Sequence, residues 1–155
     1  MSKKLSKNIN YFEDYQMLAI VSHLKDYTLC YHINSDLKFD FIKYDDLIFA
    51  TTPAAENIFS WYYYYDMITR TTYYLIGNKD ESRLLIPSQK IVDYFLLIKE
   101  PISIDSVKVY ANGLRKIPNI TAVFDLNMGI TKDMDLLLES IELHELKIIK
   151  KRKGN

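Results

Sequence analysis

Cysteine occurs once in the 155 residues, at Cys30, and glycine and proline four times each, so the chain has few covalent or conformational devices for holding its shape. A single thiol excludes an internal disulfide framework and fits a reducing compartment, so the expected location is cytoplasmic. An excess of one charge is missing too: Lys plus Arg and Asp plus Glu both number 20, which leaves no net field toward nucleic acid or anionic lipid. No apolar run approaches the roughly 18 residues that read as a membrane-spanning helix. The opening "MSKKLSKNIN" is basic but is not followed by the apolar core and small-residue cleavage site of an export signal. Phosphate-binding glycine loops, dinucleotide fingerprints, metalloprotease helices and nucleophile elbows are all absent, so no cofactor is implied and a non-enzymatic role is the leading expectation.

What is present suffices for a core. The chain is 48% hydrophobic and 26% charged, the balance of a globular protein. A chain of this length buries roughly two-thirds of the surface it exposes when unfolded. Residues 15–130 read as one domain, preceded by a basic segment, 1–14, and followed by an extension, 131–155, with a basic tail.

"YQMLAIVS" (15–22) predicts a buried strand, and Ser22 is placed to cap a helix through "HLKDYTLCYHINSDL", with Leu24, Tyr27, Tyr31 and Asn34 on one face. "FDFIKYDDLIFA" predicts one or two short strands. "NIFSWYYYYD" and "TRTTYYLIGN", rich in β-favouring residues, predict a hairpin, and "GNKD" the turn after it. "RLLI" and "IVDYFLLI" flank "PSQK" and predict a second hairpin turning at Pro87. Ser103 can cap a helix carrying Val107, Tyr110, Ala111 and Leu114 on its apolar face, and "ITAVFDL" closes the sheet. Residues 133–150 mix helical and alternating patterns and are read as a helix. The summed order predicts an α+β fold: a largely antiparallel sheet of five to seven strands with two main helices on one face. A ferredoxin-like core with an extra hairpin is one realisation.

His23, Asp26 and Cys30 fall at i, i+3 and i+7, with His32 nearby, but one cysteine lacks the paired ligand spacing of a zinc site, so no metal is expected. Trp61, Tyr62, Tyr63, Tyr64 and Tyr65, with Tyr73 and Tyr74 on the next strand, form the densest aromatic block. An aromatic sheet face suits a protein partner or a second copy of the chain. It also resembles the base-stacking platform of RNA-recognition modules, whose basic glycine-aromatic signature is missing. The basic residues Lys147, Lys150, Lys151, Arg152 and Lys153, with Lys3, Lys4 and Lys7 at the other end, could assist such binding.

"IPSQKIVDY" (86–94) resembles the I-P-E-x-x-x-V-D-Y signature of an uncharacterised bacterial protein family, with Ile86, Pro87, Val92, Asp93 and Tyr94 matching and Ser88 in place of the glutamate. "SHLKDYTLCYHIN" (22–34) and "LRKIPNITAVFDL" (114–126) are similar to that family as well. The family brings no activity or cofactor to carry over. The resemblance implies a polar set: His23, Lys25, Asp26 and Tyr27 from one stretch, Pro87, Asp93 and Tyr94 from another, and Arg115 from a third. Asp93 stands inside an apolar run, and a carboxylate there needs a donor, for which Lys25 and Arg115 are the cations in the family-like stretches. Three readings follow: a protein-binding or self-associating module using the aromatic face or a strand edge, a small-ligand or enzymatic pocket around Asp93 and His23, and contact with RNA or the ribosome.

Overall fold

A computed structural model describes residues 14–50, 56–80, 83–100, 103–131 and 134–153. The basic residues Lys3, Lys4 and Lys7 of the expected N-terminal segment lie outside it. In chain order the elements are β1 (Tyr15–Ser22), α1 (Asp26–Leu37), β2 (Ile42–Lys43), β3 (Leu47–Ala50), β4 (Glu56–Phe59), β5 (Trp61–Asp66) and β6 (Thr71–Gly77). There follow β7 (Lys79–Asp80), β8 (Arg83–Leu84), β9 (Tyr94–Lys99), α2 (Ile104–Arg115), β10 (Ile120–Asp125) and α3 (Met134–Lys153). None of the described helices is long and apolar enough to cross a membrane.

Six strands form one antiparallel sheet in the order β10-β1-β9-β6-β5-β2, and β3-β4 and β7-β8 pair separately. The stretch β10-β1-β9-β6, with α1 following β1 and α2 joining β9 to β10, is the double split β-α-β of a ferredoxin-like core. The hairpin β5–β6 extends it, registered from Trp61↔Ile76 to Asp66↔Thr71. The fold is therefore α+β with an antiparallel sheet, as the run of consecutive strands predicts.

The central strands β1 and β9 are apolar on both sides because both sheet faces are covered. On one face Leu18, Ile20, Leu75, Leu96 and Ile98 meet Leu29 and Ile33 of α1 and Val107, Ala111 and Leu114 of α2. Gly113 leaves room for Leu37 of α1, since a Cβ there would lie 2.5 Å from Leu37 Cδ2. The opposite face carries Met17, Trp61, Tyr74, Phe95 and Leu97, and α3 covers it with Met134, Leu137, Leu138 and Ile141. The C-terminal extension is thus a third layer of the same core.

Three sequence expectations change. Helix α1 begins at Asp26, with Lys25 as its N-cap and no side-chain cap bond, and Ser22 Oγ instead accepts from the Leu24 N–H and donates to the Asn119 carbonyl. Its buried stripe is Leu29, Cys30 and Ile33, while Tyr27 and Tyr31 are 63% and 67% exposed. Two stripes on this helix have apolar spacing, and the aliphatic one buries without leaving a phenol to be hydrated. The second hairpin does not form: β8 pairs with β7, β9 pairs with β6 and β1, and residues 85–93 form a folded loop between them. In contrast, Ser103 caps α2 as expected, its Oγ accepting from the Ser106 N–H at 3.1 Å.

The contact between α3 and the sheet is partly polar. Tyr15 donates to Glu142 at 3.3 Å, Tyr74 donates to Glu145, and the His144 ring lies 4.1 Å from that of Trp61 while its Nε2 bonds the Asp45 carbonyl at 2.7 Å. Burial lowers the His144 pKa below its usual 6.5, and nearby Lys147 adds to this, against the opposing pull of Asp45 and Asp46. A histidine whose folded pKa is depressed contributes stability that is present above about 6.5 and is lost as pH falls through the folded value. Acidification below pH 6.5 is therefore expected to loosen α3. Emission from Trp61, the one tryptophan, should drop as an adjacent imidazolium forms, and His144→Gln should remove that step. An unchanged acid profile in His144→Gln would refute the assignment.

Candidate functional site

One end of the sheet is shaped by a loop that folds around a single side chain. Asn78 follows Gly77 at the end of β6 and is fully buried. Its backbone N–H donates to the Asp93 carbonyl and its carbonyl accepts from the Leu85 N–H. Its Oδ1 accepts from the Ile86 N–H at 2.8 Å, and Nδ2 donates to the Gln89 and Val92 carbonyls at 2.9 and 2.8 Å. Every hydrogen-bonding group of this asparagine is thereby used. Pro87 takes the second position of a turn closed by the Gln89 N–H on the Ile86 carbonyl at 3.0 Å. Ser88 shares that exposed turn, so the departure from the family signature falls outside the cleft described next.

Val92, Asp93 and Tyr94 then point three ways. Val92 is fully buried on the α3 side. Asp93 Oδ2 accepts from the Ser22 N–H at 2.8 Å and Oδ1 pairs with Lys79 Nζ at 2.7 Å. Tyr94 donates to the Leu24 carbonyl at 2.6 Å, and burial, reinforced by Asp26 and Asp93, pushes its phenol pKa up, so it remains a donor. Consecutive side chains therefore staple the corner between β1 and α1 to the start of β9. The donors to Asp93 are Lys79 and a backbone N–H, not Lys25 or Arg115. Lys79 wins because the turn after β6 places it beside Asp93.

This corner is one wall of a cleft of about 620 Å³. His23, Lys25 and Asp26 line it from the β1–α1 corner, Lys43 from β2 and Asp46 from the turn after it, Ser60 and Gly77 from the floor, and Lys79, Asp80, Asp93 and Tyr94 from the far wall. Gly77 is needed here, since a Cβ would meet Ser60 Oγ at 2.7 Å. Most charges are satisfied internally: Lys43 pairs with Asp46 at 2.6 Å and lies 3.8 Å from Asp26, while Asp80 accepts from the Ile58 N–H. Asp26 also accepts from Tyr62, whose pKa rises through burial and that bond. Lys25 and His23 are exposed, and Lys25 makes no ion pair among the described residues.

Of the polar set chosen from the sequence, His23, Lys25, Asp26, Asp93 and Tyr94 meet in this cleft, and Tyr27 and Arg115 do not line it. Arg115 donates through Nε and a terminal nitrogen to the Val123 carbonyl at 3.2 and 2.8 Å. The Leu126 N–H bonds the Met17 carbonyl, so, counting along the register, the Val123 carbonyl points away from β1 toward the free edge of the sheet. Arg115 thus blocks the edge of β10 against further strand pairing. Lys43, Asp46, Lys79 and Asp80 were missed. Lys43 belongs to β2, Lys79 and Asp80 are β7, and Asp46 lies in a turn; strands of two residues and a turn carry no periodic signal.

The aromatic block is not an open face. Trp61 and Tyr74 are buried beneath α3 with Tyr63 packed beside them, and Tyr62 and Tyr73 are buried on the side of α1 and α2. Tyr64 stacks on Tyr73 at 5.3 Å within a cluster centred on Phe39, and Tyr65 alone in the block is exposed. Trp61, Tyr62, Tyr73 and Tyr74 of the expected partner face and stacking platform are therefore core, with α3 over one side and α1 and α2 over the other, while Tyr63 and Tyr64 are half-buried. The proposed i, i+3, i+7 alignment also dissolves, since His23 precedes the helix and Cys30 is buried, its thiol pKa pushed up to about 11 chiefly by burial. Among the described residues no cluster of His, Cys, Asp or Glu is placed to hold a metal ion.

No protein-family model matches the chain, no curated protein matches it, and no solved structure matches it.

Proposed function

We propose that the protein binds a small zwitterionic molecule of amino-acid size in the cleft between the β1–α1 corner and the β6–β7 turn. The observation that carries this reading is the charge pattern of the lining, which interleaves Lys25, Lys43 and Lys79 with Asp26, Asp46, Asp80 and Asp93. A polyphosphate or nucleotide would meet these carboxylates at close range, and like charges in a partly enclosed site oppose binding. A molecule carrying both signs can pair with each. The volume lies within the range of small-ligand sites, and the lining is more polar than that of a typical apolar pocket, which favours a polar occupant. Lys25, which makes no ion pair among the described residues and stands beside exposed His23, is positioned for the carboxylate end. In this reading the resemblance to the I-P-E-x-x-x-V-D-Y family concerns the frame of the cleft: Asp93 and Tyr94 hold its wall and Lys25 meets the ligand.

Titration of isotope-labelled protein with glycine and alanine, each against inorganic phosphate at matched ionic strength, tests this. Saturable amide shifts at residues 22–26, 77–79 and 93–94 are expected with the zwitterions, and Lys25→Ala should weaken them at least about 5-fold, as loss of one charge-assisted contact does. Phosphate alone shifting these amides, or no saturable shift with either zwitterion, would overturn the reading.

A further inference from the structure

Helix α3 has a second apolar stripe that the core does not use. Its inner face is Met134, Leu137, Leu138 and Ile141, all about 1% exposed. On the outer face Leu136, Leu143 and Leu146 are 43%, 55% and 60% exposed. Their spacings of seven and three residues keep them on one side of the helix, the arrangement of a helix-pairing seam. Hydration of a row of leucines is unfavourable, and such a row marks a contact surface.

The charge along the same helix identifies what fits it. Exposed Asp135 and Glu139 lie toward the start of α3 and exposed Lys147 toward its end, while Glu142 and Glu145 are taken up by Tyr15 and Tyr74 of the sheet. A second α3 laid antiparallel brings the acidic start of one outer face toward Lys147 of the other. A parallel arrangement would set like charges together, and so would the approach of a uniformly basic or acidic helix at one end. Leu143 lies at the natural crossing point. Four residues before it stands Glu139 and four after it Lys147, so a two-fold axis at Leu143 places Glu139 of each copy opposite Lys147 of the other. Self-complementarity of this kind is what an isologous dimer requires.

We infer that the outer face of α3 is a homodimer surface, with two copies pairing antiparallel through Leu136, Leu143 and Leu146. The two edges of the six-stranded sheet offer little to self-association: Arg115 blocks the β10 edge, and β2 at the opposite edge is two residues long. The dimer is independent of the cleft, which lies among β1, α1 and the β6–β7 turn.

Sedimentation equilibrium of the full chain, across a concentration series and at low and high salt, reads the outcome. A monomer–dimer equilibrium with a dissociation constant on the order of 10 µM is expected for a contact of this modest size, weakening as salt screens the flanking pairs. Leu143→Asp should raise that constant at least tenfold while leaving the circular dichroism spectrum unchanged, since the side chain is outside the core. Glu139→Lys should weaken the dimer, and Glu139→Lys with Lys147→Glu should restore it, a rescue that general destabilisation cannot produce. A chain that stays monomeric at hundreds of micromolar, or a dimer indifferent to Leu143→Asp, overturns the inference. So does a monomer that instead co-floats with anionic vesicles.

Discussion

Asn78→Ala is expected to lower the unfolding free energy by roughly 3–5 kcal/mol. The truncation removes one acceptor and two donors at once, stranding the Ile86 N–H and the Val92 carbonyl in a buried setting and leaving the half-buried Gln89 carbonyl with only the Val92 N–H at 3.2 Å. Leaving each such group unpaired costs about 1–3 kcal/mol, and partial relaxation of the loop recovers some of the sum. Asn78→Asp should be no better, because a carboxylate oxygen would replace the amide nitrogen that faces two carbonyls. Urea unfolding measures the effect: the midpoint should fall with little change in slope. A loss below about 1 kcal/mol would mean that the loop holds its shape without the asparagine. Lys79 and Asp93 border the same loop, so the variant should also blunt the amide shifts expected from zwitterion binding.

Asn78 explains much of what could and could not be read in advance. Elements governed by neighbours in sequence were legible. β1 is an unbroken apolar run, the β5–β6 hairpin joins two β-rich stretches across a short turn, and α2 carries its cap at Ser103 and its stripe at Val107, Ala111 and Leu114. The failed hairpin between "RLLI" and "IVDYFLLI" was decided by an asparagine earlier in the chain, whose amide takes the backbone groups that strand pairing would have used. Pro87 was rightly placed in a turn, but the turn belongs to that loop. Within the cleft the same division holds. Asp93 drew attention because a carboxylate in an apolar run needs a donor, and the donor exists. It is Lys79, 14 residues away, in a stretch whose only signal was that it turns. The aromatic block misled for a related reason: tyrosine alternation marks a strand with two usable faces, and only the docking of α3 decides that one of them is core.

That docking carries the second large effect. Leu138→Asp is expected to release α3 from the sheet and to cost at least about 4 kcal/mol. The lost leucine burial alone is worth roughly 2–5 kcal/mol, and taking an ionised carboxylate out of water there adds to it. Leu138 is 1% exposed and sits against a face built from Trp61, Tyr74, Phe95 and Leu97. Without α3 that face becomes a large apolar surface of the kind that drives aggregation. The measurable signs are a red shift of Trp61 emission, binding of a hydrophobic dye, and a midpoint fall of about 8–16 °C or more, since one kcal/mol shifts a domain of this size by about 2–4 °C. Leu143→Asp is the paired control, placing the same charge on the same helix facing outward. It should leave the emission maximum and the thermal midpoint of the monomer nearly unchanged. Were Leu143→Asp to unfold the chain and Leu138→Asp to be tolerated, the inner and outer faces of α3 would be exchanged, and with them both the covered sheet and the dimer surface. The two substitutions therefore separate core from interface on a helix whose pattern in sequence is apolar on both sides.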